Sequence, residues 1–410
     1  MIPDFVDITS TEEDRLRSKQ YFINNAKFID PDKKTFLFIV PDDDGTCHFR
    51  ILEPLRAIAR LYPDKYNLIF SQGLSIPQTI KPDVVILHRP ETRALPVITA
   101  IKETLPKCKF VFDMDDNIYL KEDHHVYHIW QSLKLSEISE SLARMADCIF
   151  TSTPTLKKVF ARLNKNVVVV SNGFDFRLPQ WNLKQDWLSE KNAEGKIVIG
   201  WAGGSSHLKD QEAMSKFLRI IHDQHKNTHF VIGGVPTVDH FVQIIYDPVT
   251  KKDRHVTTEA PEHIKYKNVL GGFFSKFDKD RIDFINTMGL SEYGKCYSMM
   301  NINLAYTEDT QFNRCKSDIK VIEGLAYGAI PLFSYMGGYK DYFDSLVDKD
   351  YGIMVINSVE QTWARKLSDI ITNYDRYKKL AARLKESALD THSVDRKAKE
   401  RIELFEKLMK

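Results

Sequence analysis

The sequence lacks the features that mark a metal-stapled, secreted or membrane-spanning chain. Its five cysteines, Cys47, Cys108, Cys148, Cys296 and Cys315, are scattered and form no CxxC pair. A zinc site or disulfide framework is therefore not expected, and a reducing cytoplasm is the simpler setting. No stretch of about eighteen apolar residues occurs, so no membrane insertion is expected. The start, MIPDFVDITSTEEDRLRSKQ, has no basic region followed by an apolar run and does not read as a signal peptide. An excess of one charge is also missing. Lys and Arg number 58 against 56 Asp and Glu, a net charge of +2. Such a balance does not demand nucleic acid or membrane as a partner. There is no short repeat and no low-complexity segment.

What is present is a layered alternation. At 410 residues the chain exceeds what one core ordinarily supports, so two domains are expected. The runs TFLFIV (35–40), YNLIF, DVVILH, KFVFDM, CIFTS and VVVVSN read as buried strands. Helical periodicity lies between them, as at Pro54 to Leu61 and Leu133 to Met145. Strands rich in β-branched residues alternating with helices predict an α/β fold with parallel sheets. Phe176 to Lys196 carries Pro, Trp and charge without a long periodic face and reads as a linker. The plan then repeats through KIVIGWAG, THFVIGG, INLAY, AIPLFS and YGIMVI, and Trp363 to Lys410 reads as almost wholly helical. The polar segment 1–33 predicts a helix from Asp7 to Lys27, capped by Thr9 or Ser10.

The block FNRCKSDIKVIEGLAYGAIPLFS (312–334) is the most informative. A helix from about Asp318 to Tyr327 is predicted to end at Gly328. Lys316 and Ser317 precede it, where free amides and the helix dipole suit a phosphate. Glu323 lies one to two turns in, where a carboxylate can accept two hydrogen bonds from a ribose diol. This block resembles the donor motif of retaining GT-B glycosyltransferases, especially the group 1 (GT4-like) family. Glu323 matches the second of that motif's two glutamates, which in the family holds the nucleotide ribose. The first would fall at Cys315, so sugar recognition is expected to differ, with Asn313, Lys316 or Asp318 as substitutes.

Two further blocks carry the resemblance. IGWAGGSSHLKDQEAM (199–214) is similar to the family's strand, glycine turn and diphosphate lysine. Gly203 and Gly204 form that turn and Lys209 fits the lysine; Gly204 stands where the family has an arginine, and Lys316 is the candidate replacement. Ala146 to Asp175 resembles the end of the family's first domain, with Asn172-Gly173 as a turn at a strand end. Together these imply two Rossmann-like domains facing across a cleft. Residues 1–180 would form the acceptor side, 181–195 the linker, 196–392 the donor domain, and 393–410 a helix returning to the first domain.

The first domain is more ambiguous. Gly45 and Thr46 offer amides near the donor phosphate and Arg50 offers charge; a plain turn with a structural arginine is the alternative. His88 and Arg89 end a strand and either face the cleft or pair internally. Asp113, Asp115 and Asp116 resemble a DxD metal site of the GT-A class, but the second-domain motifs weigh toward GT-B and no metal. Asp115 and Asp116 are therefore read as cleft residues acting on the acceptor or the transition state, with capping as the alternative. His124, His125 and His128 lack metal-helix spacing and read as solvated or acceptor-side.

The resemblance implies transfer of a sugar from a nucleoside diphosphate sugar, a UDP-sugar first, to a hydroxyl with retention. Glu323 would hold ribose, Lys209 and Lys316 the leaving diphosphate, and no cofactor is required. The acceptor is a glycan or small molecule. One alternative is a phage enzyme in its host's cytoplasm acting on hydroxymethylated bases in DNA. Basic stretches at Lys251 to His255, Lys265 to Lys267 and Lys276 to Arg281 motivate it, and the base would need flipping out. A second alternative, motivated by Cys315 and Gly204, is a non-catalytic nucleotide-sugar-binding protein.

Overall fold

The structure, a computed structural model, describes residues 6–7, 29–41, 45–74, 76, 79–122, 124, 126–204, 207–235, 240–247, 252–259, 261–346, 354–355 and 359–410. The first sheet holds β1 (Val6–Asp7), β2 (Lys34–Val40), β3 (Tyr66–Gln72), β4 (Val84–His88), β5 (Lys109–Met114), β6 (Cys148–Thr151) and β7 (Val167–Val169). All seven are parallel, in the order β1-β3-β2-β4-β5-β6-β7. The helix expected from Asp7 to Lys27 lies outside the described residues, except that Val6–Asp7 pairs with β3. Helices α1 (Glu53–Leu61), α2 (Ala94–Thr104), α3 (Tyr127–Ser132), α4 (Leu135–Met145) and α5 (Pro154–Phe160) belong to this half.

The second sheet is also wholly parallel. It holds β8 (Ile197–Ala202), β9 (Thr228–Val235), β12 (Ile282–Asn286), β13 (Ile302–Ala305), β14 (Ile330–Ser334) and β15 (Met354–Val355), ordered β12-β9-β8-β13-β14-β15. An antiparallel hairpin, β10 (His240–Asp247) with β11 (Lys252–Glu259), is inserted after β9. The helices are α6 (Asp186–Ala193), α7 (Leu208–Gln224), α8 (Pro261–Phe273), α9 (Gly294–Ser298), α10 (Ile319–Ala326), α11 (Gly337–Ser345), α12 (Glu360–Thr372), α13 (Tyr374–Thr391) and α14 (Val394–Met409). The segment read as a linker carries the short helix α6, whose Leu188 is buried beside β8. Among the described residues no helix is long and apolar enough to cross a membrane.

The strands form where β-branched and aromatic runs can be buried on both faces, as in β2, where Phe36 to Val40 are all buried. Helix α10 stops at Gly328, whose φ of +74° suits glycine, and the Ala329 amide closes onto the Gly324 carbonyl. Helix α14 leaves the second half and packs Val394, Ala398, Ile402 and Phe405 into the first-sheet core beside Phe36 and Phe38. The chain crosses between the halves twice, and the crossings meet where Phe174 bridges Ser393. In each sheet the strand order reverses at one point, between β2 and β4 and between β8 and β13. The carboxyl ends of strands at such points form ligand crevices in open α/β sheets.

Candidate functional site between the two sheets

In the first sheet the reversal point is lined by Arg89, Thr46, Asp115 and Asp116. Arg89 follows β4 with a φ of +62°, and its amide bonds the Asp113 carbonyl. Its guanidinium donates to both oxygens of Asp115 (2.9 and 3.0 Å), to Asp116 Oδ2 (3.1 Å) and to Thr46 Oγ1 (3.0 Å). Burial works to raise the pKa of Asp115, but the Arg89 charge outweighs it and keeps the carboxylate ionised. Gly45 faces the other half: a Cβ there would lie 3.6 Å from Leu290 Cδ2.

Arg50 does not reach the cleft, contrary to the expectation of a donor-facing charge. A π-helical turn, His48–Leu52, carries it beneath the sheet, where it is fully buried. Its Nε and Nη2 grip Asp113 at 3.0 and 2.6 Å, and it also donates to Val170 O and Asn172 Oδ1. Asp113 further meets His88 Nδ1 (3.0 Å) and Arg401 Nη1 (3.4 Å) from α14. Arg50 is neutralised in a core network and unavailable to a ligand, and His88 pairs internally as well. His124 contacts the Phe312 ring across the cleft at 4.4 Å, His128 is exposed, and His125 lies outside the described residues.

On the second sheet, β8 ends in the turn Gly203-Gly204. Gly204 is exposed, and Lys209 is exposed in the first turn of α7. The cation at the turn itself is Lys320. Its Nζ donates to Ala202 O (3.0 Å) and sits 4.7 Å above the Trp201 ring. Burial drives its pKa down to about 8, with nearby Asp210 and Glu323 opposing. His207 bonds Asp210 (2.7 Å), and burial with the Lys320 charge pushes its pKa down to about 4. Asp210 also accepts the Glu308 amide at 2.8 Å.

The segment before α10 touches both halves. Lys316 Nζ lies 3.3 Å from Asp116 Oδ1 and 4.6 Å over the Phe312 ring. Ser317 Oγ accepts from Asn172 Nδ2 (3.0 Å), and Asn313 is tied to the Glu308 carbonyl within its own loop. Cys315 is fully buried in the first domain's core; its carbonyl accepts from Thr153 and burial pushes the thiol up to about 12. A neutral, enclosed thiol cannot do the work of a carboxylate. Asp318, the N-cap position of α10, pairs with His392 at 2.8 Å.

Glu323 is 5% exposed. One oxygen accepts from Tyr293 (2.6 Å) and the other from Tyr297. Burial raises its pKa and the two tyrosines oppose. Each oxygen keeps a second lone pair. Thus Thr46, Asp115, Asp116, Lys316, Ser317 and the turn Gly203-Gly204 line the facing strand ends, while Glu323 lies deeper. Arg50 and Cys315 do not line them. Among the described residues no group of three His, Cys, Asp or Glu stands together as a metal site would require.

Three functional candidates escaped sequence reasoning. Lys320 precedes Glu323 by one turn on α10, a spacing that puts both on neighbouring positions. Tyr293 and Tyr297 are four apart in a polar stretch, another helical spacing that was available.

No family model matches the chain, and no curated protein does. Solved structures match it in fold. A glycosyltransferase from Rickettsia africae shares 12% identity, covering 92% of this chain and 99% of its own, with a TM-score of 0.63. HepE from Anabaena, solved with UDP and glucose, shares 13% over 91% of this chain and all (100%) of its own, with a TM-score of 0.63. The N-terminal domain of Candida albicans trehalose-6-phosphate phosphatase shares 10% over 93% and 100%, with a TM-score of 0.64. The chain has the GT-B fold, two parallel α/β sheets with their helices facing across a cleft.

Proposed function

We propose that this GT-B chain is a retaining glycosyltransferase that moves a hexosyl or pentosyl group from a nucleoside diphosphate sugar, a UDP-sugar first, to a hydroxyl of a glycan or small molecule. One observation carries the reading: both reversal points open on the same gap, and Lys316 spans it to Asp116. A lysine from one side meeting Arg89-held carboxylates on the other suits a reaction that releases a diphosphate and engages a hydroxyl. Support also comes from HepE, a fold neighbour solved with UDP and glucose.

In this reading residues 196–392 hold the donor, and residues 1–180 with the helix 393–410 hold the acceptor. Glu323 takes the ribose through its remaining lone pairs. Lys316, Ser317, Gly203, Gly204 and the amino end of α10 face the diphosphate, with Lys209 at the edge. The bond from the anomeric carbon to the diphosphate breaks, and the electron pair leaves with the diphosphate. The acceptor oxygen forms its bond on the same face, and its proton passes to the departing oxygen. Negative charge grows on the diphosphate as this happens, which is where fixed cations lower the barrier. Asp115 and Asp116 orient the acceptor hydroxyl. They need no metal for charge balance, since Arg89 and Lys316 supply it, so turnover is expected to survive EDTA. Five unpaired, buried cysteines fit a reducing cytoplasm.

The test is release of nucleoside diphosphate from a panel of UDP-, GDP- and ADP-sugars, with sugar acceptors and without. Turnover with one donor is expected. Tight donor binding with no release under any condition favours the non-catalytic alternative, and no binding at all overturns the reading.

A further inference from the structure

The glycine turn after β8 has no arginine at Gly204, and Lys209 is an exposed residue in the first turn of α7. Lys316 is already engaged with Asp116. The turn nevertheless contains a positive charge, delivered from another element. Lys320 projects from the first turn of α10 across the Trp201 ring, and its ammonium ends beneath Gly203. A Cβ added at Gly203 would stand 2.6 Å from Lys320 Nζ and 2.7 Å from the Trp201 ring. The absence of a side chain at Gly203 is therefore what leaves room for the ammonium at the strand end.

That ammonium is only partly satisfied. Among the described residues it makes one hydrogen bond, to Ala202 O, out of the three it can donate. The nearest opposing charges are committed elsewhere: Asp210 to His207 and the Glu308 amide, Glu323 to two tyrosine hydroxyls. Burial holds its pKa down to about 8, as befits a cation with too little compensation. A ligand bearing two adjacent anionic groups would satisfy it, with Lys316 one turn away and the α10 amides between them.

We propose that Lys320, seated under Gly203, is a further residue that binds the diphosphate of the donor, supplying from α10 the charge that the turn itself lacks. This rests on the donor reading above. The competing account is a structural plug that only ties α10 to the end of β8, and the two differ in what a phosphate-free ligand feels.

The experiment compares wild type, K320M, K320R and G203A by calorimetry. The ligands are UDP, GDP and ADP, then the nucleoside matching whichever binds best. Loss of one charge-assisted contact predicts roughly 10- to 100-fold weaker diphosphate binding by K320M. Nucleoside affinity should stay within about twofold, and K320R should recover part of the loss. G203A, which crowds the ammonium from the other side, should weaken the diphosphate likewise, with little further loss in the double variant. K320M binding the diphosphate like wild type, or losing diphosphate and nucleoside equally, overturns the assignment while leaving the donor reading intact. If K320M fails to fold, G203A decides by the same selective loss. Wild type binding none of the three diphosphates overturns both.

Discussion

Lys316 Nζ and Asp116 Oδ1 stand 3.3 Å apart, one from each half of the molecule, and Asp116 also accepts from Arg89. Both side chains keep about a quarter to a third of their surface exposed (30% and 25%), so solvent screens the pair. Its contribution to stability is at most about 1 kcal/mol. D116N should therefore unfold near the wild-type temperature. If Asp116 orients the acceptor, kcat/KM for transfer should fall by roughly tenfold or more, the cost of one charge-assisted hydrogen bond. Donor affinity should hold. A loss confined to donor affinity would move Asp116 to the donor side.

Glu323 supports a second prediction, because its carboxylate satisfies the hydroxyls of buried Tyr297 and half-buried Tyr293. E323A should cost stability, about 1–3 kcal/mol for the groups left unpaired. E323Q keeps the shape and one acceptor oxygen and should cost less. Both should weaken nucleotide binding at least about tenfold if the ribose diol is held there. Calorimetry on the better-folded E323Q is the deciding measurement, and unchanged nucleotide affinity would sink the ribose assignment.

The buried network under β5 leads to a third prediction. Both Arg50 and Arg401 contact the Asp113 carboxylate in that network. Burial would raise its pKa, but the Arg50 charge holds it far below the ordinary range. D113N should destabilise by about 3–5 kcal/mol, since it strands buried guanidinium charge. R401M leaves Asp113 paired with Arg50 and should change stability by only about 1 kcal/mol or less. Urea unfolding of the two variants checks the ordering, and equal losses would refute it.

Which parts of this were legible in the sequence follows from where each signal sits. β2 reads as a strand because TFLFIV is buried on both faces, so no polar alternation interrupts it. β12, IDFIN, is an edge strand with Phe284 and Asn286 exposed, and it offered no such run. The helix that carries Glu323 is legible through Gly328 and Pro331, which end it and open the next strand. For Arg50 the structural alternative holds over the donor-facing one, and the sequence does not separate them because an arginine facing a ligand and one facing a carboxylate 63 residues away look the same in one dimension. Lys320 was hidden for the same reason, since Trp201 and Gly203 lie more than a hundred residues before it. Cys315 occupies a motif position, yet its neighbours come from the other domain, which no local pattern encodes.

The pH dependence of Lys320 supplies a fourth prediction. Its folded pKa, down to about 8, lies below the ordinary 10.5. Between these values the unfolded chain binds the extra proton, so this group makes stability rise with pH across that window. Diphosphate affinity should move the opposite way, falling as pH climbs through about 8 and the ammonium is lost. Differences between wild type and K320M isolate the group from other titrations. Affinity differences that stay flat from pH 7 to about 10 would mean that the charge does not meet the ligand.

The last prediction concerns the acceptor. The basic stretches lie on one excursion between β9 and β12. Lys252 and Arg254 fall on β11, Lys265 and Lys267 on α8, and Lys251 lies outside the described residues. The third stretch cannot contribute its arginine, because Arg281 is buried and donates to the carbonyls of His222, His225 and Thr228. A face made by the five Lys and Arg of the first two stretches would neutralise phosphates, and log affinity for duplex would fall with log salt by about 0.9 per phosphate neutralised. The comparison is duplex binding from about 50 to 200 mM salt, wild type against a variant with Lys251, Lys252, Arg254, Lys265 and Lys267 changed to Ala. With a net charge of only +2, we expect the wild type to bind no duplex even at the low end, in keeping with a glycan or small-molecule acceptor. A steep slope that flattens in the variant, with transfer only to hydroxymethylated duplex, would replace that reading with DNA modification. Equal steep slopes in both proteins would keep DNA as the acceptor and move its binding face away from this excursion.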